Sequence, residues 1–97
     1  MHAVMRTYAG TNAKTLADRL EQRKEEVENL IRTVPGLISW GMMRTGDGCV
    51  TFTLCKDKAG CDKSVTIARD WLQKNAADIG AAAPAVVEGP VSMRVAT

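Results

Sequence analysis

Ninety-seven residues, 45% of them hydrophobic and 25% charged, make one domain (1–97) of a size that folds alone on a modest core or gains stability by pairing. A net charge of +2 with scattered basic residues excludes a nucleic-acid surface, and no strand interleaves aromatic with basic side chains. No uncharged run approaches the ~20 residues of a membrane helix, so no membrane partner is expected.

The first strand is predicted over 2–8. His2, Val4, Arg6 and Tyr8 share one face, and Ala3, Met5 and Thr7 share the other. Gly10-Thr11-Asn12 ends it, with Thr11 or Asn12 able to cap the helix that follows. That helix is predicted over 13–33 from the stripe Ala13, Leu16, Ala17, Leu20, Val27, Leu30, Ile31 and Val34, and Pro35-Gly36 stops it. The stripe has one gap. Between Leu20 and Val27 the core-facing positions fall on Arg23 or Lys24. Either that side chain lays its methylenes on the sheet edge with its charge in water, or the cation turns inward to meet an anionic ligand or a buried acid.

Strands over 37–45 and 49–56 form a hairpin around Gly46-Asp47-Gly48. A three-residue loop puts Ile38, Trp40, Met42 and Arg44 on one face with Val50, Phe52 and Leu54. A two-residue loop joins Leu37, Ser39, Gly41 and Met43 to that face instead. The first is expected, because it collects the large apolar groups under the helices. Leu37, Met43, Cys49, Thr51, Thr53 and Cys55 then form a semi-apolar open face.

A second helix over 60–79 follows, with Asp57 or Asp62 as candidate caps and a stripe of Cys61, Val65, Ala68, Leu72, Ala76 and Ile79. Trp71 lies on its flank and Gly80 just past its end. The last strand is predicted over 85–95, interrupted by Gly89-Pro90. Proline cannot donate to a ladder, so this strand belongs at an edge.

With right-handed crossovers, β-α-β-β-α-β closes into an α+β, ferredoxin-like fold. Its four-stranded antiparallel sheet has order 4-1-3-2, with both helices on one face. The open face is too apolar to leave wet. A homodimer through the sheet faces would cover it.

A long helix ending in Val34-Pro35-Gly36, a strand with an aromatic, Arg44 before a Gly-Asp-Gly turn, and a helix carrying Trp71 together resemble the dimeric α+β barrel superfamily. More narrowly, the chain is similar to the small bacterial proteins allied to the antibiotic-biosynthesis monooxygenases. The resemblance implies two protomers packed sheet on sheet, with ligands held between the sheet and helices of each. It also implies activities that range from cofactor-independent monooxygenases through haem degradation and isomerisation to none. The oxygenases typically end the third strand with an aromatic and an acid, where this chain has Leu54-Cys55-Lys56-Asp57. The haem-degrading members use a histidine on the second helix, which this helix lacks. No catalytic residue is carried over.

The residues themselves nominate a ligand site. Trp40 and Trp71 are flat groups suited either to core filling or to walling a pocket for a planar molecule. Arg6, Tyr8 and Arg44 can reach its rim, where an Arg suits a carboxylate or enolate-like ligand or else pairs with acids of the first helix. If Arg23 or Lys24 faces inward, it bounds with Trp40 and Arg44 a pocket for a small planar or anionic molecule.

His2 reads as a partly exposed strand residue. Cys49, Cys55 and Cys61, at C-x5-C-x5-C, fit no zinc module. Cys49 and Cys55 stand ~20 Å apart along one strand, at ~3.3 Å per residue, beyond disulfide reach. Reduced thiols, with an N-terminus that lacks the pattern of a secretion signal, point to the cytoplasm. No metal or cofactor is expected. The competing functions are a small cofactor-free enzyme, monooxygenase-like or isomerase-like, and a non-catalytic homodimeric ligand-binding or structural module.

Overall fold

The computed structural model describes residues 1–97 and arranges them as β-α-β-β-α-β with the first helix in two pieces. The elements are β1 (His2–Tyr8), α1 (Ala13–Gln22), α2 (Lys24–Ile31), β2 (Leu37–Arg44), β3 (Cys49–Cys55), α3 (Lys58–Asn75) and β4 (Ala85–Pro90), with a 3-10 turn at Ala77–Ile79. The sheet order is β2-β3-β1-β4 with every pairing antiparallel, the ferredoxin-like topology that the sequence predicts. β4 is an edge and stops at Pro90 instead of running to 95. One further rung, Val91 N–H to the Met1 carbonyl at 3.0 Å, closes that corner.

The single helix expected over 13–33 is divided at Arg23, whose φ of −107° and ψ of 33° leave the helical region. The backbone bonds nevertheless continue through it, from Arg23 N–H to the Arg19 carbonyl and from Val27 N–H to the Arg23 carbonyl, both 3.0 Å. The result is a kink at the gap in the apolar stripe. No side chain descends to the sheet there. Asn12 precedes α1 in the left-handed region (φ 64°). Its side chain does not cap the helix but donates to the Ile79 carbonyl at 2.9 Å, tying the two helical ends together. Asp57 does cap α3, accepting from Gly60 N–H at 3.0 Å.

The hairpin register differs from expectation. Arg44 pairs with Cys49, Met42 with Thr51 and Trp40 with Thr53, so the loop has four residues, Thr45 to Gly48, and the opposite parity to three. Trp40, Met42 and Arg44 face the helices as predicted, but Cys49, Thr51, Thr53 and Cys55 lie there beside them. Val50, Phe52 and Leu54 turn to the open face with Gly41 and Met43. The Phe52 ring lies over Gly41, 3.2 Å from where a Cβ would stand.

A bulge between Leu37 and Ser39 then shifts parity once more, so Leu37 also packs under the helices, against Val34 and Trp71. Two features fix the loop. Gly10 N–H donates to Asp47 Oδ2 at 3.0 Å, and any Cβ on Gly48 would collide with the Tyr8 carbonyl.

The buried core forms three groups. One joins Tyr8, Leu16, Ala17, Cys49 and Ile79; a second joins Val4, Val34, Cys55 and Cys61; the third joins Val27, Ile31 and Trp71. No helix is long and apolar enough to cross a membrane.

Candidate functional site

Members of the first and third core groups do not close on one another. Between them, under the helices, lies a void of about 40 Å³, walled by Trp40 from β2, Thr51 and Thr53 from β3, Arg6 and Tyr8 from β1, and Ser64, Ala68 and Trp71 from α3. Leu20 and Val27, the residues on either side of the helix kink, form its roof. The gap in the stripe and the void are thus one feature: the helix withholds a side chain where the sheet presents Trp40.

Two larger grooves flank this void. One, of about 540 Å³, runs between α3, the segment Gly80–Pro84 and the β1–β4 side of the sheet. Leu16, Val65, Leu72, Ala76 and Val86 give it an apolar lining, with Arg69 among its walls. Arg6 and Tyr8 line both this groove and the void, forming the partition between them. The other, of about 500 Å³, lies along β2 and is lined by Lys24, Glu21, Glu28, Met42 and Arg44, with Trp40 shared with the void.

The structure therefore brings Trp40, Trp71, Tyr8 and Arg6 around one space, and Trp40, Lys24 and Arg44 around the β2 groove beside it, while Arg23 lines neither. Trp71 is buried, and its Nε1–H donates to Glu26 Oε2 at 2.6 Å. Arg44 pairs with Asp18 at 3.0 Å and with Glu21, so its charge is met by α1. These partners raise the Arg44 pKa, through Glu21 first, while Lys14 and Arg44 lower that of Asp18.

Arg23 and Lys24 are exposed and do not turn inward. Arg23 donates to Asn75 Oδ1 at 2.8 Å, and its guanidinium carbon lies 5.9 Å from the centre of the Trp71 ring, on the outer side of the helices. Lys24 borders the β2 groove together with Trp40 and Arg44, the two residues expected to bound a pocket with it.

Arg6 is the residue that pattern reading underrated. It is only 9% exposed and forms no ion pair with any acid of α1. Its guanidinium carbon stands 5.6 Å from the centre of the Tyr8 ring, a cation–π arrangement. Nε finds no hydrogen-bond partner and is the one buried side-chain nitrogen or oxygen left so. The alternation of β1 placed Arg6 on the Val4–Tyr8 face, but only the fold shows that no carboxylate meets it there. Burial raises the Tyr8 pKa against the lowering influence of Arg6, so the phenol keeps its proton at neutral pH.

His2, expected to be partly exposed, is buried, with Nε2 2.9 Å from Glu88 Oε1. It lines neither the void nor either groove. No group of three or more His, Cys, Asp or Glu side chains is arranged to hold a metal ion.

The three cysteines are free and buried. Cys61, near the start of α3, donates its S–H to the His2 carbonyl at 3.2 Å. Burial and the adjacent Cys55 thiol push its pKa up to about 11, the reverse of activation by a helix N-terminus. Burial also raises the Cys49 thiol. Alkylation of the native protein with iodoacetamide should therefore be slow, and mass measured after denaturation without reductant should show three modified thiols. A protected pair would contradict this.

No protein-family model matches the sequence, and no curated protein matches it. Solved structures do share its fold. A protein of unknown function from Nitrosomonas europaea superposes with a TM-score of 0.69 at 18% identity, over 99% of this chain and 92% of that one. A mutant of MhuD, with two manganese protoporphyrin IX bound per active site, gives 0.69 at 15% identity over 99% and 98%. A monooxygenase from the gene ActVA-Orf6 of Streptomyces coelicolor, in complex with the ligand nanaomycin D, gives 0.63 at 17% over 99% and 91%. The chain therefore has the fold of these structures, a four-stranded antiparallel sheet with its helices on one face.

Proposed function

We propose that this protein is a homodimeric, cofactor-independent, monooxygenase-like enzyme of the cytoplasm that acts on a small planar organic molecule. The carrying observation is the space between sheet and helices, with Trp40 and Trp71 on one side of the Arg6–Tyr8 partition and an apolar groove on the other. Two structures that share the fold hold flat ligands, nanaomycin D and manganese protoporphyrin IX. The three buried free thiols support a reducing compartment.

In this reading the protein orients the substrate and excludes water, while the substrate supplies the reducing electrons. A planar phenol with an activated CH₂ ionises and passes an electron to O₂, and recombination gives a peroxide. Loss of water then leaves a carbonyl: CH₂ plus O₂ gives C=O plus H₂O. The protonated Tyr8 is placed to donate a hydrogen bond to the anion that forms.

One observation favours the second reading, a non-catalytic binding module. Neither the void nor the Gly80–Pro84 groove is lined by His, Asp or Glu, so no side chain there serves as a general base. Oxygen uptake separates the two. A panel of planar phenols that ionise near neutral pH should include one whose O₂ consumption rises in proportion to protein, with carbonyl product formed mole for mole. Saturable binding without O₂ uptake across the panel would assign the protein to the binding class.

A further inference from the structure

We infer that Arg6 is an anion-binding residue, and that the ligand of the Gly80–Pro84 groove is an organic carboxylate whose apolar body lies in the groove and whose carboxylate meets the Arg6 guanidinium. This rests on the reading of the space between sheet and helices as a ligand site, and it names the class of molecule that the site takes.

An arginine that is nine-tenths buried ordinarily meets a carboxylate, because a buried unpaired cation is costly. No acid of this chain pairs with Arg6, and those nearest in the helices and β4 find other partners or none. Asp18 and Glu21 pair with Arg44, Asp78 with Arg19, Glu26 accepts from Trp71, and Glu88 lies against His2. None lines either space that Arg6 borders. The Tyr8 ring lies near the guanidinium at 5.6 Å, yet Nε has no acceptor.

The residue sits at the middle of β1, paired to Thr51 on one side and Val86 on the other, so its backbone is held in the interior of the sheet. A planar guanidinium on such a support suits the two oxygens of a carboxylate. The groove beside it, about 540 Å³ and lined by Leu16, Val65, Leu72 and Val86, is of the size that takes a small organic molecule. Arg69, a second cation among its walls, adds to a positive potential with no acid to oppose it.

Isothermal titration with naphthoate and with its uncharged isostere naphthamide tests this on wild type, Arg6→Met and Arg6→Lys. Wild type should bind naphthoate roughly ten- to hundredfold more tightly than naphthamide, the range that a charge-assisted hydrogen bond supports. Arg6→Met should abolish that preference while binding naphthamide as before, and Arg6→Lys should retain part of it. Arg6→Met should also melt no lower than wild type, because it replaces an unpaired buried cation with an apolar group; a residue acting only as structure would lower the melting temperature.

Equal binding of naphthoate and naphthamide by wild type would overturn the inference and leave the groove standing as a ligand site. Equal naphthoate affinity in wild type and Arg6→Met would do the same. Failure of both molecules to bind would remove the site itself, and this inference with it.

Discussion

Phe52→Glu is expected to convert the protein from a dimer to a folded monomer at micromolar concentration. The open face carries Met5, Met43, Phe52 and Val87, between 40% and 70% exposed, on four adjacent strands with no helix over them. That is the apolar side of β3, turned outward by the four-residue loop, and it makes this face more apolar than the mixed surface that a three-residue loop predicts. A two-fold interface on it would bury on the order of 1,200–2,000 Å² in total.

Because such an interface is isologous, one Phe52→Glu substitution brings two carboxylates into it, each costing several kcal/mol unpaired. Phe52 takes no part in the helix-side core, so circular dichroism should stay that of the wild type. Sedimentation equilibrium reads the change. A wild type that sediments as a monomer at micromolar concentration would contradict the pairing.

Trp71→Ala should have the largest effect on stability of any single ring deletion, about 3–5 kcal/mol, the range for truncating a buried aromatic. Trp71 is 8% exposed, packs with Val27 and Ile31, and binds Glu26 through Nε1–H. It also borders the void, so its removal enlarges a space that is already incompletely filled. Trp71→Phe keeps most of the packing and loses the hydrogen bond, which should cost about 1 kcal/mol. Against a total of about 5–15 kcal/mol for a domain, the first change is a large share and the second a small one. Urea unfolding of the three proteins gives the comparison. Equal losses for the two variants would mean that the hydrogen bond, not the ring, holds α2 to α3.

Element order, sheet order and the edge position of β4 were legible because each rests on a local signal: the three-four stripes, the Gly-Asp-Gly turn and Pro90. The hairpin register was not. Gly46-Asp47-Gly48 marks where the chain turns, but including Thr45 in the loop reverses the face of all of β3, and nothing in the residue types distinguishes three from four. Composition even misled, because gathering Phe52 and Leu54 under the helices follows the rule of apolar groups inward, whereas the register turns them to the open face.

The gap between Leu20 and Val27 did mark the place where helix and sheet part. Of the two cations it pointed to, both are exposed; Lys24 borders with Trp40 and Arg44 the groove along β2, and Arg23 does not. Arg6 lay on the correct face of β1 by simple alternation. What alternation cannot supply is the absence of an acid opposite it, which depends on where α1 and α3 direct their carboxylates.

Native mass spectrometry of the intact protein with an equimolar mixture of planar aromatic molecules tests the central claim, a dimer holding one small molecule between sheet and helices of each protomer. The expected spectrum shows a dimer whose mass is raised by one and two ligand masses, with the additions suppressed in Ala81→Trp, whose new ring occupies the Gly80–Pro84 groove. Monomer ions without additions, or additions that survive in Ala81→Trp, would contradict it.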